Sequence, residues 1–423
     1  MPGHKGVCEL GFENLDITEI DGADCLNSAN GIIKQSQENA SRIFNAQTFY
    51  STEGSSLSIR AMLFLALKNA KDKENAFILA GRNAHKSFLT ALGLLDLKVK
   101  WLYPNDCDSY LSCNISPSLV EQTLKELKRL PIALYLTSPD YLGNILDIKG
   151  IKEVCKKYGV LLLIDNAHGS YLKFLPKSLH PIDLGADMCC DSAHKTLYAL
   201  TGAGYLHLSK SLPKQLVSQT QSAMALFSST SPSYLILQSL DLLNKQLSNG
   251  FKDSIKESIS EIDKLKNELI EKGFVLVGNE PLKITIDAKK YGYYGYQLNE
   301  YLLKAGICCE FYDKDFLVTM WTPRNSKSTI EKFKNALLSL ERKPQITSLS
   351  PKLTTPIQKL SVRQALFSDS EIVSVDKAQG RIFADLAFSC PPAVPVVVCG
   401  EEINQSAIDC LKYYGIKNCL VIK

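Results

Sequence analysis

No stretch of this chain is apolar for long enough to cross a membrane as a helix. The longest apolar runs, such as residues 159–164, fall far short of the roughly 18 residues that a spanning helix needs. The opening Met-Pro-Gly-His-Lys-Gly is polar and contains no apolar signal core. An excess of charge is missing too. Lys and Arg total 48 against 44 Asp and Glu, a net charge of +4 with no basic run, so nucleic acid is a poor candidate partner. The 13 cysteines form no CxxC and no matched Cys/His set for zinc. Cys189-Cys190 and Cys308-Cys309 are adjacent pairs, which is wrong spacing for a disulfide scaffold. There is no internal repeat and no low-complexity tract. Together these absences point to a reduced, soluble, cytoplasmic protein without a metal centre.

What is present is a folded composition, 45% hydrophobic and 22% charged over 423 residues, enough for two or three domains. The first 45 residues read as irregular, with a helix near 34–42. An α/β rhythm follows: helices at 57–70, 118–130 and 148–158 alternate with apolar strands at 76–80, 99–103, 132–137 and 160–165. The run Val160-Leu-Leu-Leu-Ile164 has no polar alternation, as a strand buried on both faces of a parallel sheet requires. Helices at 232–247 and 252–272 lead into a β-α-β-β-α unit (strand 282–286, helix 293–305, strands 308–312 and 316–320, helix 327–340). Residues 344–356 read as a Pro/Ser/Thr-rich linker. The expected organisation is an N-terminal segment (1–45), a large domain (46–245), a small α/β domain (246–343), the linker, and a C-terminal segment (357–423).

Histidine is scarce, six in all, yet three are followed by lysine: His4-Lys5, His85-Lys86 and His194-Lys195. The third pair lies in Asp191-Ser-Ala-His-Lys-Thr-Leu197, between the apolar Met188-Cys-Cys190 and the small-residue run Thr201-Gly-Ala-Gly204. A lysine in that setting is poorly placed for a solvated charge, and partial burial makes an amine a usable nucleophile; a loop lysine facing water fits the spacing equally well. Asp165 ends the most buried strand, where α/β sheets present their ligand crevice, and a buried carboxylate there needs a cationic or hydrogen-bonding partner. An N-cap or a core ion pair is the plainer role for it. Thr52-Glu-Gly54-Ser55-Ser56 precedes a helix, and free amides, a glycine and two hydroxyls suit an anion. Taken together, an amine, an acid for a ring nitrogen and a phosphate cradle are the three handles of pyridoxal phosphate.

An ordered set of motifs resembles the bacterial Orn/Lys/Arg decarboxylase family: Pro2-Gly-His-Lys5, Asp16-Ile-Thr-Glu19, Gly54-Ser-Ser56, Arg82-Asn-Ala-His-Lys-Ser87, Ser138-Pro-Asp-Tyr141, Asp165-Asn-Ala-His-Gly169, Asp191-Ser-Ala-His-Lys-Thr-Leu197 and Thr230-Ser-Pro-Ser-Tyr234. The likeness is dense to about residue 240 and resumes at Pro391-Pro-Ala-Val-Pro395 and Gly400-Glu401. It implies an α/β fold of the aspartate-aminotransferase-like, pyridoxal-phosphate type I class, with a seven-stranded, mainly parallel sheet, a smaller α/β domain and a C-terminal extension.

The resemblance also implies roles. Lys195 forms the Schiff base with pyridoxal 5'-phosphate, Asp165 pairs with the ring nitrogen, and His85 stacks on the ring; on its position alone, His168 either supports Asp165 or lies against a ligand ring. Gly54, Ser55, Ser56, Ser192 and His194 bind phosphate, and His194 or Lys195 returns a proton to the α-carbon. Thr230 and Ser231 reach the phosphate of a neighbouring subunit, because the site lies at a homodimer interface; higher oligomers are open. The implied activity is a lyase reaction, decarboxylation of arginine, lysine or ornithine. An aminotransferase, a carbon–carbon lyase and a non-catalytic homologue are the rival readings, and polyamine synthesis and acid resistance both remain open as purposes.

A cationic substrate tail needs a carboxylate, and Glu19, Asp21, Asp140 and Glu401 are candidates. The chain departs from the family pattern at Asn166 (usually Glu), Ala193 (usually Thr), Asp140 (usually Thr) and Cys390 (usually aromatic). It begins at the Pro-Gly-His-Lys motif without the usual short lead, and it resembles the short form that has no amino-terminal wing domain.

Overall fold

A computed structural model describes every residue except Cys8, 105–108, Leu353 and 387–393. Cys390 and the first three residues of the expected Pro391-Pro-Ala-Val-Pro395 motif therefore lie outside the described residues. The chain divides into two compact units. One comprises residues 1–79, 116–138 and 147–253; the other comprises 80–115, 139–146 and 254–423.

The first unit is built on strands β1 (Gln47–Ser51), β4 (Ala133–Thr137), β5 (Leu161–Asp165), β6 (Met188–Asp191) and β7 (Gly204–Leu208), with β2 (Phe77–Gly81) crossing into the second unit and β3 (Lys98–Leu102) belonging to it. The order is β1-β7-β6-β5-β4-β2-β3. β4, β5 and β6 pair in parallel, while β7 runs antiparallel to both β6 and β1. Every residue of β6 and β7 is buried, and of β5 only Leu161 is not, which is why its run needs no polar alternation.

Four helices alternate with these strands near their expected positions, α1 (Ile32–Phe44), α2 (Gly54–Asn69), α4 (Pro117–Glu126) and α5 (Ile148–Tyr158), and one that was not expected, α3 (Lys86–Leu95), lies in the second unit. Local chemistry sets their ends. The Asp147 side chain accepts the Gly150 amide to start α5, and Gly159, at φ 68°, closes it in the left-handed region. Asp24 gathers the amides of Asn30, Gly31, Ile33 and Lys34 at 2.8–3.3 Å and so starts α1, which the polar spacing alone begins two residues late. α4 stops at Glu126, four residues short of its expected end, before the buried Pro131.

The second unit carries a four-stranded antiparallel sheet in the order β10-β11-β9-β8: β8 (Val275–Val277), β9 (Lys283–Asp287), β10 (Phe311–Tyr312) and β11 (Phe316–Met320). The expected unit lacked β8, three residues too short for a periodicity to show, and gave β10 five residues where two pair. Helices Gly295–Lys304 and Lys327–Leu338 sit close to expectation. Towards the C-terminus, β12 (Ser370–Ser374) pairs antiparallel with β13 (Asn418–Ile422) and encloses a small core of Phe383, Val397, Ile403 and Leu411. Here the Arg82 and Glu401 motifs meet. The Arg82 guanidinium donates to Glu401 at 2.8 Å and lies 5.2 Å from the Trp101 ring centre, while the Val398 amide donates to the same carboxylate.

Between β10 and β11, Asp313 accepts the amides of Asp315 and Phe316, both at 2.7 Å, through one oxygen; its other oxygen is buried without a partner. Burial, reinforced by the neighbouring Asp315 charge, pushes its carboxyl up to about 7. An unfolded aspartate titrates near 4, so the folded chain loses stability as pH rises from about 4 to about 7. Asp313→Asn is expected to be more stable than the parent at pH 8 and indistinguishable from it below pH 4, as read by thermal melting across that range.

Candidate active site

Two neighbouring parallel strands, β5 and β6, end in the carboxylates Asp165 and Asp191. The register pairs Asp165 with Cys190 and Thr137 with Asp165. Asp165 is 3% exposed, and its oxygens accept from neutral donors: the Tyr135 hydroxyl at 3.1 Å, the Ala167 amide at 3.1 Å and the Cys190 thiol at 3.5 Å. A buried carboxylate held only by neutral groups gains from a cation placed beside it.

One residue on, Asn166 extends the ladder through its amide to the Cys190 carbonyl (3.0 Å), and its side chain donates to Asp191 at 2.7 Å. From Asp191 the chain turns through Ser192 into α6 (Ala193–Thr196), which carries Lys195. The Lys195 ammonium nitrogen lies 3.1 Å from Nε2 of His168. The segments 166–168 and 191–195 are thus fastened to each other at both ends, by Asn166–Asp191 and by His168–Lys195. That closed circuit keeps the half-buried amine at the turn that follows Asp165.

The residues expected to hold an anion also lie near one another. α2 begins at Gly54, whose φ of 64° strongly favours glycine, and its amide is taken by the Gly202 carbonyl at 2.7 Å. Ser55 and Ser56 follow, in the first turn, where amides have no acceptor within the helix. The Ser192 hydroxyl donates to Ser55 at 3.0 Å. His194 Nδ1 meets the Ala203 carbonyl at 2.8 Å, so that nitrogen carries a hydrogen. A side chain at 54 would place its first carbon 3.5 Å from the His194 ring; the glycine leaves that space open beside the hydroxyls. The small-residue run at 201–204 has the same cause: a Cβ on Gly204 would stand 2.8 Å from the Gly54 carbonyl carbon, and one on Gly202 2.8 Å from the Thr52 oxygen.

The structure therefore brings together Lys195 with His168, and Gly54 with Ser55, Ser192 and His194, on the elements that also carry Asp165 and Ser56. Their donor set fits a phosphate-bearing aldehyde with a basic ring nitrogen. Thr230 and Ser231 are exposed, in a loop tied to the start of α2 by the Ser229 amide donating to Glu53 at 2.9 Å. His85, in the second unit, caps α3: its Nδ1 accepts the Ser87 amide at 3.2 Å. His4 and Asp16, from the two N-terminal motifs, meet at 3.2 Å. Of the four acids considered for a substrate tail, Glu401 is taken by Arg82. Asp140 is taken by Ser112 and Asn144 and held above the ordinary carboxylate range by burial, while Glu19 and Asp21 stay exposed.

Spacing gave no sign of a further cluster. Asp191, His180 and His207 are all 0% exposed, and both imidazole Nε2 atoms lie near one Asp191 oxygen, at 3.1 and 3.3 Å. Burial works against a charge on Asp191, but the two histidines outweigh it and hold the carboxyl below its ordinary range. Burial pushes the His207 imidazole down, and the Asp191 charge works against that shift. The three ligand atoms are close enough to surround a metal ion, yet they come from positions 180, 191 and 207, and no spacing motif announces them. Tyr135, which reaches Asp165 from β4, was also missed; its only signal is alternation within an apolar strand.

Fold and site together define a class, the α/β fold of the type I pyridoxal-phosphate enzymes. The structure aligns over its whole length with Escherichia coli constitutive lysine decarboxylase (TM-score 0.79, 18% identity, 79% of that chain). A more distant match is Sphingomonas wittichii serine palmitoyltransferase (TM-score 0.55, 14% identity, 73% of this chain and 75% of that one). Residues 12–286 match the Orn/Lys/Arg decarboxylase major domain and residues 349–418 the C-terminal domain of the same family. The chain is 28% identical to a Bacillus subtilis arginine decarboxylase (96% of this chain, 88% of the relative) and 30% identical to B. subtilis YaaO (93% and 84%). It belongs to the Orn/Lys/Arg decarboxylase family.

The departure at Asn166 now has a physical meaning, since an acid there would face Asp191 where neither group is exposed. Two carboxylates cannot both ionise in such a place. Asn166→Asp is expected to cost about 3 kcal/mol at pH 7, measurable as a lowered midpoint of urea unfolding; an unchanged midpoint would contradict the brace.

Proposed function

We propose that this chain decarboxylates a basic amino acid, arginine, lysine or ornithine, to the corresponding amine, using pyridoxal 5'-phosphate. The observation that carries the reading is the fastening of the Lys195 amine to His168, in the turn that follows Asp165. Membership of the family and the named arginine decarboxylase relatives support the reaction class.

Bound pyridoxal phosphate supplies an electron sink for the pair left on the α-carbon when the carboxylate departs as CO2. The protein's own residues do the rest. Ser55, Ser56, Ser192 and the amides of α2 hold the phosphate, with Gly54 leaving the room. Asp165 holds the proton on the ring nitrogen. Lys195 offers the amine that retains the cofactor between turnovers, and His168 orients that amine. Once CO2 has left, His194 or Lys195 returns a proton to the α-carbon. Thr230 and Ser231 extend the phosphate site across a homodimer whose active sites are shared, and Glu19 or Asp21 reads the cationic tail of the substrate. Among the described residues no helix is long and apolar enough to cross a membrane, and the ten described cysteines are all free, which supports a reducing, cytoplasmic setting.

CO2 release from arginine, lysine and ornithine, each tested separately, checks the proposal. One of them is expected to yield CO2 and its amine, and a keto acid product instead would mark an aminotransferase. Lys195→Ala is expected to abolish CO2 release and the visible cofactor absorbance. Asp165→Ala is expected to retain some cofactor while turnover falls by two or more orders of magnitude, in line with about 3 kcal/mol or more of lost charge stabilisation; near-normal turnover would refute its assignment.

A further inference from the structure

Sheet register places Tyr135, Leu163, Asp165 and Cys190 on one face. β4 and β5 pair Tyr135 with Leu163, Asp165 follows two residues on, and β5 and β6 pair Asp165 with Cys190. The acid is thus flanked on both sides by residues of adjoining strands, with the Tyr135 hydroxyl on one oxygen and the Cys190 thiol, with the Ala167 amide, on the other. Tyr135 and Cys190 are both 0% exposed. Burial pushes the Tyr135 hydroxyl and the Cys190 thiol well above their usual ranges, so both keep their hydrogens and serve as donors. Water has no access to replace either.

We propose that Tyr135 and Cys190 are positioning residues, which fix the Asp165 carboxylate in one orientation, so that it can hold a protonated ring nitrogen. The proposal rests on the pyridoxal-phosphate reading above. A carboxylate free to rotate meets a pyridinium N–H in line only part of the time, and one donor on each oxygen holds it in line. Tyr135 is the stronger lever, because an O–H donates better than an S–H, and its contact is the shorter one. Neither residue touches the cofactor in this account. Their effect passes through Asp165, and it is confined to ligands that carry a ring nitrogen.

That restriction supplies the test. Full-length chain freed of cofactor is titrated with pyridoxal phosphate and with its analogue in which a C–H replaces the ring nitrogen, and the ratio of the two affinities is taken. The parent is expected to prefer pyridoxal phosphate. In Tyr135→Phe, which keeps the buried volume, the preference is expected to fall by about tenfold, the worth of one hydrogen bond to a charged group, with the analogue bound as before. Cys190→Ser, which keeps a donor, is expected to retain the preference within about threefold, and Cys190→Val to lower it by less than Tyr135→Phe does. A Tyr135→Phe variant that weakens both ligands equally, or that leaves the ratio untouched, overturns the proposal and leaves the function standing. Should Tyr135→Phe fail to fold, the Cys190 pair decides: equal ratios for serine and valine overturn the proposal. A parent chain that binds neither ligand overturns this proposal and the function with it.

Discussion

Parallel pairing of β5 with β6 is the constraint on which the site depends. In a parallel pair both strands end on the same side, so whatever follows their last residues is delivered to one place. β5 ends in Asp165 and β6 in Asp191, and the turns that follow carry His168 and Lys195. His168 and Lys195, 27 positions apart in sequence, thereby meet without a long loop to hold either. Behind them Asn166, His180 and His207 all converge on the buried Asp191 carboxylate.

Charge is managed differently in the two layers. Asp191 has two imidazoles and an amide; its charge is compensated, and its task is structural. Asp165 has a phenol, a thiol and a backbone amide, all neutral, and its charge is left to be met by something else. Two carboxylates on adjoining strands of one sheet thus have opposite fates because their neighbours differ.

Much of this was legible in the sequence. The unbroken apolar run of β5, the alternation of helix and strand, and the small-residue run after Lys195 gave the sheet and the place of its ends. Gly54-Ser55-Ser56 marked the start of α2, although the reason the run at 201–204 must be small, its packing against Gly54 and Thr52, requires coordinates. The misses share a cause. β8 is too short for a period, Tyr135 hides in an apolar strand, and His180, Asp191 and His207 meet only through strand pairing and a loop. Asp140 looked like a free acid because its partners Ser112 and Asn144 cannot be paired with it by spacing.

The pair between Arg82 and Glu401 joins residues 319 positions apart. Ribosomes add about 5–20 residues per second, so Arg82 is made on the order of 16–60 s before its carboxylate. For that interval its guanidinium has no Glu401 to meet beside Trp101, and this ion pair can form only once nearly the whole chain exists.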